Sequence, residues 1–158
     1  MKNKLISLFE DTYLMFSIPR FSYSYRQQQV NPKKVYSIDT GFSVINSPSF
    51  SKDKGRLLEN IVFLNLRRKF KNILYFQERN ECDFIVKEAE KIKEVIQVCY
   101  DFNQDNQDRE INGSIEAMEK FKLKEGLILT YNQTDEINVR GVKIKVLPVW
   151  KWLLSDKI

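Results

Sequence analysis

The stretch ILYFQERNECDFIVKEAEKIKEVIQVCY, residues 73–100, contains three strand-like runs in close succession. Ile73 to Gln77, Cys82 to Lys87 and Lys93 to Tyr100 are rich in β-branched and aromatic residues. The segments around Asn80-Glu81 and Glu88 to Glu90 are short enough for antiparallel hairpins. A meander of this kind has faces that need cover, so the flanking elements decide the fold class.

Immediately upstream, GRLLENIVFLNLRRKF (55–70) carries Leu58, Val62, Phe63, Leu66 and Phe70 at helical spacing and closes on a basic run. Downstream, the polar loop DFNQDNQD (101–108) leads into a predicted helix from Asp108 to Lys122, with Ile111, Ile115, Met118 and Phe121 as its buried stripe. GLILT (126–130) reads as a central strand, and Glu136–Val139 with Val142–Val146 as a hairpin around Arg140-Gly141. Val149–Leu154, with Trp150 and Trp152, reads as a short closing helix. Ahead of the meander, a helix is expected over Leu5–Phe16 and ended by Pro19. Short strands are expected at Phe21–Tyr25 and Lys34–Ile38, and an exposed loop at 46–54. This order predicts one α/β domain, an α/β/α sandwich around a central mixed sheet.

Composition narrows the chemistry. The 158 residues include no histidine, which excludes Ser-His-Asp and Cys-His triads, His-based zinc sites and histidine general bases. With five glycines and no Walker-type loop, phosphate-cradling glycine turns are not expected. Cys82 and Cys99 each lie in an apolar run, which suits buried free thiols in a reducing cytoplasm. No apolar stretch approaches the roughly 20 residues of a membrane span, and the N-terminus does not read as a signal peptide. The net charge of +5 leans toward polyanions, but it is modest, and many solvated basic surfaces bind nothing specific.

Three residues stand where packing alone would not put them. Glu59 falls on the apolar stripe of its helix, where a carboxylate needs a partner or a cation. Asp83 interrupts a β-run, on one face with Ile85; Gln97 lies in the longest β-run, on one face with Val95 and Cys99. If the second and third strands are hairpin neighbours, Asp83 and Gln97 lie side by side and the helix lowers Glu59 toward them. Carboxylate and amide oxygens suit Mg²⁺, which activates water for phosphodiester cleavage. The plainer alternatives are an ion pair of Glu59 with Arg56 or Arg109, backbone hydrogen bonds to Asp83 at a bulge, and a satisfied buried amide at Gln97.

KKVYSIDTGF (33–42), GRLLENIVFLNL (55–66), ECDFIV (81–86) and EVIQVCY (94–100) together resemble the domain of unknown function C-terminal to the P-loop in archaeal and bacterial AAA-type ATPases. That domain is similar to PD-(D/E)xK nucleases in its motif order. The resemblance implies a restriction-endonuclease-like fold over residues 31–158, preceded in residues 1–30 by the remnant of a winged-helix-like linker. It implies Glu59, Asp83 and Gln97 as catalytic and Mg²⁺-binding residues, and DNA, an ATPase domain or partner chain and a second copy of the chain as partners. Cys99 stands where the family has lysine, so a replacement ammonium or guanidinium would come from Lys33, Lys34 or Arg56. The rival implication is a nuclease fold without chemistry, used for docking, dimerisation or regulation.

Other features stay near background. Arg67, Arg68, Lys69 and Lys71 form a basic cluster that a solvated helix end explains. Tyr23, Tyr25 and Tyr36, near Arg26, Lys33 and Lys34, have the chemistry to stack on bases; sheet packing explains them equally well. Trp150 and Trp152 suit a hydrophobic lid or the surface that meets another domain.

Overall fold

The computed structural model describes residues 2–45 and 54–155. Helix α1 (Lys2–Asp11) leads to strand β1 (Met15–Pro19), helix α2 (Tyr25–Val30), strand β2 (Lys33–Ser37) and helix α3 (Thr40–Ile45). Helix α4 (Lys54–Lys69) precedes strands β3 (Asn72–Gln77), β4 (Glu81–Glu88) and β5 (Lys91–Val98). Helix α5 (Gln107–Phe121), strands β6 (Glu125–Thr130), β7 (Asp135–Val139) and β8 (Val142–Pro148), and helix α6 (Val149–Leu154) complete the order.

The main sheet has six strands in the order β3-β4-β5-β6-β8-β7. Its first three strands form the expected antiparallel meander, β6 lies parallel to both β5 and β8, and β7 closes the edge antiparallel to β8. The α5 segment is the long crossover that a parallel β5–β6 pair requires. Side chains alternate across the sheet, so two cores form. Leu58, Val62, Phe63 and Leu66 of α4 pack with Trp152 of α6 on Ile73, Phe84, Ile96 and Leu129. On the other face Ile115, Ala117 and Met118 of α5 pack on Leu74, Cys82, Ile85, Val95 and Ile128. The α/β class and the mixed sheet expected from the sequence are present. Helix α5 approaches β4 so closely that a Cβ at Gly113 would fall 2.1 Å from the Glu81 carbonyl oxygen, a contact open only to glycine.

The N-terminal third departs from expectation. The first helix ends at Asp11 rather than running to Phe16, and Tyr13 takes a positive φ of 58° at the turn. Met15–Pro19 is a strand because its Phe16 and Ile18 alternate inward at period two and β2 offers it a ladder from Met15↔Ser37 to Pro19↔Lys33. Glu10 braces that turn by accepting from the Ser17 backbone N–H at 3.1 Å and from its hydroxyl. The strand expected at Phe21–Tyr25 is also absent. Ser24 caps α2 by accepting from Gln27 N–H, so Tyr25 opens a helix. The two-stranded β1–β2 sheet is tied to the β3 edge where Phe21 N–H donates to the Tyr75 carbonyl at 2.8 Å. The loop expected at 46–54 lies outside the described residues except for Lys54, which opens α4.

Candidate functional site

Asn60 fixes the site's first half. Its buried carboxamide accepts from Ser37 N–H at 2.9 Å and donates to the Ser37 carbonyl at 3.1 Å, which pins α4 to the end of β2. On β2, Lys34 and Tyr36 are two residues apart and project to the same side. The pin therefore brings both to the neighbouring helix residue, Glu59. The Tyr36 hydroxyl donates to Glu59 Oε1 at 2.7 Å, and Lys34 Nζ reaches the same oxygen at 3.2 Å. Tyr36 stacks on Phe63, ring centroids 4.3 Å apart, so its hydroxyl is held in place from below. Burial first, and Glu59 second, push the Tyr36 hydroxyl far above the usual phenol range, so it stays a donor.

A β-bulge supplies the second half. Leu74 pairs with Ile85 and Phe76 with Cys82, so Tyr75 alone faces both Asp83 and Phe84. The extra residue overrides simple alternation. Asp83 does not share the α5-facing side with Ile85, as strict period two predicted; it joins Phe84 on the α4 side, where its Oδ1 accepts from Lys34 Nζ at 2.7 Å. Its Oδ2 accepts Val98 N–H at 2.9 Å, where the β4–β5 ladder has ended at Phe84↔Ile96. Glu81 at the start of β4 completes the cluster at 2.7 Å from Lys34 Nζ. One ammonium thus serves Glu59, Glu81 and Asp83.

The electrostatics follow from that count. Three carboxylates around one ammonium leave a formal charge of −2 in a half-buried site. Burial first, then the charge of Glu59, push the Asp83 carboxyl up to about 7, against the opposing pull of Lys34. Burial acts to lower the Lys34 ammonium, but Asp83 and Glu59 outweigh it and hold the group well above the usual lysine range. Lys34 is charged at every pH at which the fold is tested below.

Gln97 is close to Asp83 but turned the other way. Its Oε1 accepts Asp83 N–H at 3.0 Å, while its Nε2 donates to Glu110 of α5, a buried acid that Arg109 also grips. It shares the α5 face with Val95 and Cys99, as the β period predicts. The structure therefore brings Glu59 and Asp83 together on the α4 face and leaves Gln97 on the α5 face, joined to them through the Asp83 backbone. Cys99 donates to the Asp101 carbonyl at 3.3 Å, and burial, then Glu110, push its thiol up to about 11. It is a neutral thiol, not a thiolate.

Of the residues proposed to supply a cation, Lys34 lies beside Glu59; Arg109, the alternative ion-pair partner of Glu59, is committed to Glu110 instead. The sequence offered Lys34 as one of three; its i, i+2 relation to Tyr36 in a strand was the available signal. Glu81 and Glu110 carried none, since acids at a strand start and in a first helical turn are ordinary. Among the described residues, no group of three or more His, Cys, Asp or Glu side chains is disposed to hold a metal ion, and no helix is long and apolar enough to cross a membrane.

No family model matches the chain. It is similar to the uncharacterized protein MJ1544 of Methanocaldococcus jannaschii, with 38% identity over 161 residues that take in 95% of this chain, and it spans about a third (35%) of that relative's length.

Proposed function

We propose that this chain is a nuclease-fold domain of the PD-(D/E)xK kind, with a restriction-endonuclease-like core, acting on DNA as part of an ATPase-type protein. The observation that carries this reading is the meeting of Glu59, Asp83 and Lys34 at the open end of the β4–β5 ladder. A helix acid, a strand acid and an ammonium are the parts that metal-assisted phosphodiester hydrolysis needs, and Lys34 supplies from β2 the cation that Cys99 lacks. The donors fit Mg²⁺ in kind, because they are carboxylate oxygens with a net charge of −2 that one divalent ion would balance. Glu59 and Asp83 would hold it, with water filling the remaining positions. When bound, the ion would lower the pKa of water and stabilise charge on the phosphoryl group. Tyr36 orients Glu59, the Val98 N–H orients Asp83, and the Lys34 ammonium can follow developing negative charge. An ATPase partner is supported by the resemblance of the motif order and is in keeping with a relative much longer than this chain.

A second reading has its own observation. The carboxamide of Gln97 is engaged by Asp83 N–H and Glu110, on the face away from Glu59, so it offers the α4 side nothing. This favours a nuclease fold without chemistry, in which Lys34 neutralises the acids in place of a metal ion. Calorimetric titration with Mn²⁺ on the parent protein, Glu59→Ala and Asp83→Ala separates the two. Binding by the parent that both substitutions abolish is expected for the hydrolytic centre, followed by DNA cleavage that fails in the double variant. A parent protein that takes up no Mn²⁺ sinks that centre and leaves the non-catalytic module.

A further inference from the structure

Basic side chains of the described residues converge on one groove. A groove of about 1370 Å³ lies beside β3 and the β4–β5 turn, where three element ends converge. Arg67 and Lys71 line it at the end of α4, and Lys120 and Lys122 at the end of α5. Lys87, Lys91 and Lys93 line it from the β4–β5 hairpin. Among the described residues its only acids are Glu10, bonded to Ser17, and Glu90, bonded to Lys87. Among the described residues, seven cations against two acids give the lining a formal charge of +5. A concave surface that gathers one sign of charge focuses its field on an anionic ligand. Among the described residues, Lys71, Lys91, Lys93 and Lys122 make no ion pair.

The same groove exposes large rings. Tyr13, Tyr23 and Tyr25 line it while 66%, 80% and 74% exposed. Tyr23 is held edge-on against Phe21, which packs the same way on Phe121, so this ring has a fixed support. Lys120 Nζ lies over the Tyr23 ring, 5.6 Å from its centroid. Lysines that follow a backbone of phosphates beside such exposed rings suit unpaired bases better than a duplex, whose base faces are already stacked. A concave lining with its rings inside it also suits a strand better than a flat anionic bilayer. We infer that this groove binds single-stranded nucleic acid, with phosphates on Lys71, Lys91, Lys93 and Lys122 and bases against Tyr23 and Tyr25. The groove is distinct from the acid centre, because none of Lys34, Glu59, Glu81 and Asp83 lines it. The inference does not depend on metal binding or hydrolysis.

Fluorescence anisotropy of a labelled oligothymidylate in EDTA tests it, beside a duplex of equal length and phosphatidylserine vesicles. The oligothymidylate is expected to bind more tightly than the duplex, with a log–log salt slope of about −0.7 per phosphate contacted. Lys91→Glu with Lys93→Glu should weaken it by about tenfold or more, and Tyr23→Ala by about fivefold or more. These side chains are exposed, and an unchanged circular dichroism spectrum separates lost binding from lost folding. Failure of the parent to bind, equal affinity in the charge-reversed variant, tighter binding of the duplex, or binding of vesicles alone would each overturn the inference. Because EDTA removes divalent ions, none of these results bears on the acid centre, and a failed Mn²⁺ titration leaves them intact.

Discussion

On the α4 face of the sheet, one ammonium serves three carboxylates; on the α5 face, Glu110 has a guanidinium and a neutral amide to itself. The two networks meet across neighbouring strands, where Asp83 N–H on β4 donates to Gln97 Oε1 on β5. They differ in balance. Glu110 and Arg109 cancel: the acid is buried, but its charge is matched by a guanidinium that is 78% exposed and keeps its water. The Lys34 cluster keeps net negative charge among side chains that are mostly withdrawn from solvent. An under-compensated acid cluster is held by packing and backbone donors rather than by its own attraction, and it is the place where an added cation has most to gain.

The largest effect is expected from breaking the crowded side. Lys34→Met removes the shared counter-charge and should destabilise the fold by about 3–5 kcal/mol in urea denaturation at neutral pH. Mn²⁺ should recover part of that loss if Glu59 and Asp83 bind it. A variant as stable as the parent would mean that Lys34 does not hold the acids together. On the balanced side, Glu110→Ala leaves the Gln97 amide group buried without its acceptor, and about 1–3 kcal/mol of destabilisation should follow. A Glu110 effect as large as that of Lys34 would erase the distinction between the two faces.

A third test sharpens the comparison through pH. The folded state holds a proton on Asp83 up to about 7, whereas an unfolded aspartate releases it near 4. Between those values the folded protein binds more protons than the unfolded one, so stability falls as pH rises through that window. Glu94 is also raised, chiefly by burial and secondarily by Glu88, and adds the same sign. Asp83→Asn should remove the Asp83 share and flatten the decline in urea midpoint between pH 4 and 7. An identical pH slope in parent and variant would refute the assignment.

Much of the architecture was legible from local pattern. The helix carrying Glu59, the three-strand meander, the α5 crossover and the closing helix at Val149–Leu154 each have a period and a boundary that the residues announce. The N-terminal third was not legible in this way. Leu5 to Phe16 has helical spacing, yet its last residues join a ladder with β2, because a strand partner distant in sequence outweighs a weak propensity. The candidate site was half legible. Glu59 and Asp83 declared themselves as acids in apolar runs, and Gln97 as an amide in a strand. The bulge at Tyr75 then moved Asp83 to the α4 side and left Gln97 on the other. A bulge follows from how two strands pair, which neither strand's own sequence states.

The sequence by itself determined the chemistry on offer: no histidine, two thiols in apolar strands, and acids where burial makes them costly. It also determined the order of helices and strands from the meander onward, because hydrophobic period is a property of consecutive residues. Tertiary structure alone decided which cation the acids meet, since the contact of Lys34 with Glu59, Glu81 and Asp83 depends on Asn60 gripping Ser37 across 23 residues. It also decided that seven cations from three separate segments share one groove. Charges act through space, and the distances between them exist only once the chain has folded.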